Sequence, residues 1–80
     1  MTELQRRVAT IVSSILTIPV ESVTPETSSD DVESWDSVRH MHLVLALEQE
    51  FGVSFDDDQV VAMLSIGEIA RQLESLGPVR

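Results

Sequence analysis

Cysteine, lysine and tyrosine are absent from this chain of 80 residues. Without cysteine there are no disulfides, no thiolate metal sites and no thiol nucleophile. Basic residues are scarce: five against 14 acids, for a net charge of −9. That balance argues against nucleic acid or an anionic membrane as partner, and for steering towards basic protein surfaces. No apolar run reaches the ~18 residues of a membrane span, and the N-terminus lacks a basic-then-apolar leader, so a cytoplasmic chain is expected. Glycine and proline, three of each, are too few for a disordered or low-complexity polymer. Trp35, Phe51 and Phe55 are the whole aromatic set. The core must therefore be Leu, Ile, Val, Ala and Met, which suits packed helices. This length allows one domain over residues 1–80, expected to be monomeric, with a single modest core and no deep catalytic pocket.

The hydrophobic periodicity is helical. Thr2 and Gln5 have capping-box spacing, and Leu4, Val8, Ile11, Val12 and Ile15 share a face, predicting a first helix over Glu3–Leu16 that Pro19 stops or deflects. Residues 17–36 form a long connection carrying six of the acids (Glu21, Glu26, Asp30, Asp31, Glu33 and Asp36). Its Ile18, Val20, Val23 and Val32 are expected to pin it across the helices. Structured loops of this length are uncommon in so small a domain and often functional. The second helix is predicted over Ser37–Phe51, with Asp36 as N-cap and Gly52 at its end. Val38, Met41, Val44, Leu45 and Glu48 mark its sides. Its run Leu43–Leu47, apolar nearly all round, predicts the most buried helix of the four. A short helix is expected between Asp57 and Met63. A last one is signalled by Ser65 and Glu68 as a second capping box, by the stripe Ile66, Ile69, Ala70 and Leu73, and by Gly77-Pro78 after it. Val53-Ser54-Phe55 is too short for a strand. The expected architecture is all-α, a small four-helix bundle with a long loop between helices 1 and 2 and a short third helix.

One residue stands out chemically. Ser37, directly behind Asp36, displays a hydroxyl at a helix N-terminus, where unpaired N–H groups and the helix dipole favour a phosphate ester. No second catalytic constellation accompanies it, so Ser37 reads as an attachment point and the protein as a carrier of cargo. The residues alone leave two alternatives open: a merely capping serine, or a hydrolytic nucleophile served by His40 or His42. The latter needs an orienting acid and an oxyanion hole around a pocket, which so short a chain does not supply convincingly. Both histidines read as exposed helix residues in preference to metal ligands. Asp56-Asp57-Asp58 fails the calcium-loop pattern, since the sixth position is Val61 where glycine is required; it reads as a capping, solvated acidic cluster. Trp35 is expected to pack on the loop, and Met41 and Met63 to lie in the core.

Asp36-Ser37, followed at the right distance by Leu43-Val44-Leu45-Ala46-Leu47-Glu48-Gln49-Glu50-Phe51-Gly52, resembles the acyl carrier proteins and their peptidyl and D-alanyl relatives over nearly the whole chain. The resemblance implies a non-catalytic carrier. A phosphopantetheinyl transferase would esterify Ser37 with 4′-phosphopantetheine from coenzyme A, beside the acid Asp36. The arm's thiol would then hold an acyl or aminoacyl thioester for loading, modifying and unloading enzymes. These are expected to dock on the second helix through Val38, Arg39, Met41, His42 and Leu45. The chain departs from the family pattern in Val38 for the usual Leu, in Ser34 for a common Gly, and in Arg39, His40 and His42 where fatty-acid carriers tend to have acids. The departures point to a discrete carrier of a polyketide or nonribosomal peptide pathway. The alternative is an unmodified helical protein–protein interaction module.

Overall fold

Each helix starts on a side chain that satisfies amides which the helix itself leaves unpaired. In the computed structural model, which describes residues 1–77, α1 spans Glu3–Leu16, α2 Ser37–Phe51, α3 Asp57–Ala62 and α4 Ile66–Ser75. Thr2 Oγ1 accepts the Gln5 N–H at 3.1 Å while Gln5 Oε1 accepts the Thr2 N–H at 3.0 Å, closing the expected box. Asp56 and Gln59 do the same for α3, which makes Asp56 a cap. Ser65 caps α4 at 3.1 Å, but the expected reciprocal bond is missing. Glu68 turns along the helix instead, accepting from Gln72 Nε2 at 2.8 Å and pairing with Arg71. At the other end of α2, Gly52 adopts φ 64° and returns its N–H to Glu48, a left-handed conformation for which glycine carries no steric cost.

Three helices enclose the core. α1 packs on both α2 and α4. Val8, Val12 and Leu16 of α1, Leu43, Leu47 and Phe51 of α2, and Ile66, Ile69 and Leu73 of α4 are buried, together with Met63. α2 is not the most buried helix. It buries four residues, as do α1 and α4, because its apolar run is wider than the arc facing the core. Leu45 and Met41 fall outside that arc and are 55% and 50% exposed. The core expectation thus holds for Met63 and fails for Met41. α3 has no buried residue and ends one residue early, because Met63 leaves helical geometry (ψ 61°) and enters the core. Beyond α4, Gly77 takes φ 103°; Pro78 lies outside the described residues.

The long connection is tied down mostly by backbone. Val23 is buried and Ile18 and Val32 are partly so, but Val20 sits exposed in a single 3₁₀ turn, Val20–Ser22. An isolated antiparallel bridge joins Ser28 and Ser65. Around it, Ser29 N–H donates to Leu64 O at 2.9 Å, Ile66 N–H to Thr27 O at 3.1 Å and Gly67 N–H to Pro25 O at 2.9 Å. A Cβ at Gly67 would stand 3.2 Å from that Pro25 oxygen, so glycine lets the loop approach α4 this closely without displacing the carbonyl. Ser34 Oγ then donates to Leu16 O at 2.9 Å, and the chain is delivered to Trp35. Among the described residues there is no strand, and no helix is long and apolar enough to cross a membrane.

Candidate functional site at the start of α2

Asp36 Oδ1 accepts the Arg39 N–H at 2.8 Å, and the Asp36 carbonyl accepts the His40 N–H, also at 2.8 Å. Ser37 is therefore the first residue of α2 and not its cap. It is exposed, and among the described residues its hydroxyl has no hydrogen-bond partner. The Ser37 and Val38 amides likewise meet no protein acceptor. A free hydroxyl, two free N–H groups and the positive end of a helix dipole converge here, an arrangement suited to an anionic ester.

The residues flanking Ser37 are fixed by contacts that composition did not reveal. Trp35 is only 5% exposed. Its ring meets the His40 imidazole edge to edge, with centroids 6.2 Å apart and planes inclined by 28°, and its Nε1–H donates to His40 Nδ1 at 3.0 Å. The other ring nitrogen of His40, Nε2, lies 2.8 Å from Val60 O of α3. His40 is half-buried, where an exposed position was expected, because it bridges the loop to α3. With both nitrogens engaged elsewhere, it is not the base of a Ser37 nucleophile. A sequence signal for this pair exists: Trp35 and His40 occupy the positions just before the cap and four into the helix, which pack together in a hydrophobic staple.

Arg39 is also half-buried, its Nη1 donating to Ile15 O at 3.0 Å. α1 has no basic residue in its last turn, so a side chain of α2 supplies the cation that the C-terminal carbonyls favour. The other expected docking residues do face outward: Val38 is 64% exposed, Met41 and Leu45 lie along the same side, and His42 is exposed. Beside Ser37 runs an apolar cleft of about 290 Å³, walled by Trp35 and His40 on one side and Val60, Val61 and Leu64 on the other. A larger cleft of about 500 Å³ lies under the long loop around Ile18, Asp31 and Val32, and Ser37 does not line it.

Residues 6–73 match the model of the family described as "Phosphopantetheine attachment site". The chain is 34% identical over 74 residues to the acyl carrier protein of Sinorhizobium fredii and, separately, to acyl carrier protein AcpP of Rhizobium meliloti; each comparison covers 92% of this chain and 95% of the relative. Its structure is similar to that of an acyl carrier protein from Enterococcus faecalis, with a TM-score of 0.74, 32% identity and coverage of 94% of this chain and 98% of that one.

Proposed function

The chain belongs to the acyl carrier proteins, carriers and not catalysts, whose cofactor is covalent 4′-phosphopantetheine, and we propose that Ser37 is its attachment serine. The observation that carries this reading is the unpartnered, exposed hydroxyl at the first position of α2. The residues present fit a phosphodiester: the Ser37 and Val38 amides are free to receive it, and Asp36 is held by the Arg39 N–H as a cap. When attached, the arm supplies a terminal thiol that holds the cargo as a thioester. The chain's own part is to hold the hydroxyl outward for the transferase and to offer Val38, Met41, His42 and Leu45 as a docking strip beside it. Tethering raises effective concentration, so weak docking suffices for each partner. Arg39, turned onto Ile15, supports that strip from behind.

The pathway we favour is a discrete polyketide or nonribosomal peptide system. His42, exposed on that strip, stands where fatty-acid carriers tend to have an acid, and Arg39 and His40 add none there, which disfavours partners with basic docking surfaces at that point. The test is intact mass after incubation with coenzyme A, Mg²⁺ and a broad-specificity phosphopantetheinyl transferase. A gain of one phosphopantetheine in wild type, absent from Ser37→Ala, is expected. No gain from folded wild-type protein would overturn the assignment and favour an unmodified interaction module. Offering the modified protein to an amino-acid-activating enzyme, a malonyl-transferring acyltransferase and fatty-acid synthase components then separates the pathways by which of them loads it.

A further inference from the structure

Building on the assignment of Ser37, we propose that His40 is a positioning residue that latches α3 to the start of α2 and sets the width of the cleft onto which Ser37 opens. The chemistry of its two partners allows one state only. An indole N–H can only donate and a backbone carbonyl can only accept. His40 must therefore be neutral, with Nδ1 bare towards Trp35 and its proton on Nε2 towards Val60. An imidazolium, or the other tautomer, would set N–H against N–H at Trp35.

The element held by this latch is weakly held otherwise. α3 is six residues long, too short to be stable by itself, and it fully buries no side chain, only Val60 packing partly buried against the core. It is anchored at its flanks, by the Phe55 N–H on Glu48 Oε2 at 2.8 Å before it and by buried Met63 after it. Between the flanks, Gln59 reaches Gln72 of α4 at 3.3 Å, and the bond from His40 to Val60 O is the polar tie to α2 among the described residues. Val60 and Val61 are one wall of the 290 Å³ cleft, and Trp35, Ser37 and His40 are the facing wall. A bond from one wall to the other fixes their separation. Trp35 adjoins Asp36 and Ser37 in the chain, so opening the latch also frees the segment that presents the attachment hydroxyl.

The test begins on unmodified protein and compares wild type with His40→Phe, which keeps a ring against Trp35 but makes neither bond. In wild type at neutral pH, imidazole ¹⁵N shifts should show a protonated Nε2 and a bare Nδ1. In His40→Phe, hydrogen exchange of the α3 amides should quicken about tenfold, as for loss of roughly one hydrogen bond's stabilisation, with α1 and α4 nearly unchanged. Emission of Trp35, the only tryptophan, should shift with it. A proton on Nδ1, unchanged exchange in α3, or faster exchange spread evenly over all helices would overturn the latch. If His40→Phe loses its helical circular dichroism, His40→Gln, which still offers a donor to Val60, takes its place and should quicken α3 exchange over wild type by less than tenfold. A second arm uses protein charged from hexanoyl-coenzyme A by the transferase. The thioester should hydrolyse faster on His40→Phe than on wild type, and equal rates would refute the role in shaping the cleft. Because the first arm needs no cofactor, failure of wild type to accept the arm would count against Ser37 as attachment site and leave the latch result standing.

Discussion

Arg39→Glu separates a docking arginine from a bracing one. If the guanidinium served partners from solvent, the swap would leave stability almost unchanged, as exposed substitutions usually do. The structure instead has Nη1 on Ile15 O at 3.0 Å, half-buried at the end of α1. Loss of a hydrogen bond from a charged donor costs about 1.5 kcal/mol. A carboxylate beside the same C-terminal carbonyls adds about 0.5 kcal/mol through the helix dipole. The sum, about 2 kcal/mol, corresponds in a domain of this size to a melting temperature lower by roughly 8–16 °C, or to a urea midpoint lower by about 2 M at a slope near 1 kcal/mol/M. Glu also moves the net charge two units further from zero, so Arg39→Met, expected to cost about 1.5 kcal/mol, is the cleaner comparison. Thermal and urea unfolding followed by circular dichroism read both. Melting of Arg39→Glu within about 3 °C of wild type, less than 1 kcal/mol on the same scale, would refute the brace and return Arg39 to the docking surface.

Ser37→Ala should abolish the mass gain while lowering stability by about 0.5 kcal/mol or less, since the cap is Asp36 and the lost hydroxyl has no partner; a drop beyond ~8 °C would make Ser37 structural. Met41→Glu, half-exposed on the outer face of α2, should leave unfolding within about 0.5 kcal/mol of wild type and raise the KM of loading enzymes; unchanged kinetics with each of them would remove Met41 from the docking strip. Gly67→Ala should destabilise by about 1 kcal/mol, because a methyl 3.2 Å from Pro25 O pushes the loop off α4 and loses the bond there; a rise in melting temperature would show that the carbonyl gives way and that helix propensity wins. The His40→Phe exchange experiment completes the set.

Local chemistry made most of the fold legible, and long-range geometry accounts for what escaped. Thr2 with Gln5, Asp36 and Gly52 announce the bounds of α1 and α2, because caps and left-handed ends are satisfied within a few residues of themselves. The stripes of α1 and α4 likewise report their own burial. The burial of α2 is not local: Leu43–Leu47 says that the helix is apolar, but only the positions of α1 and α4 decide which arc meets the core. The second capping box looked like the first, yet Gln72, one turn further on, competes for Glu68 and takes it. The place of Ser37 at the start of α2 is legible because a helix start is one local signal. Arg39 and His40 escape a local reading because their partners, Ile15 and Val60, lie 24 and 20 residues away.

Both of these long-range contacts brace the start of α2. A carrier must show one hydroxyl and a strip of contact surface to several enzymes without letting that region unfold. The outer face of α2, with Val38, Met41, His42 and Leu45, is left exposed. The neighbouring positions Arg39 and His40 point to either side and bind backbone carbonyls, one at the end of α1 and one in α3. Carbonyls are present whatever side chains surround them, so such braces depend little on the sequence of the elements that they hold. The two braces differ in kind. Arg39 has only donors and holds an end of a long, packed helix, whereas His40 holds a short helix with no fully buried residue and needs one tautomer to do so. Rigidity at the start of α2 is thus one-sided: firm towards α1, and releasable towards α3, the side on which the apolar cleft lies beside Ser37.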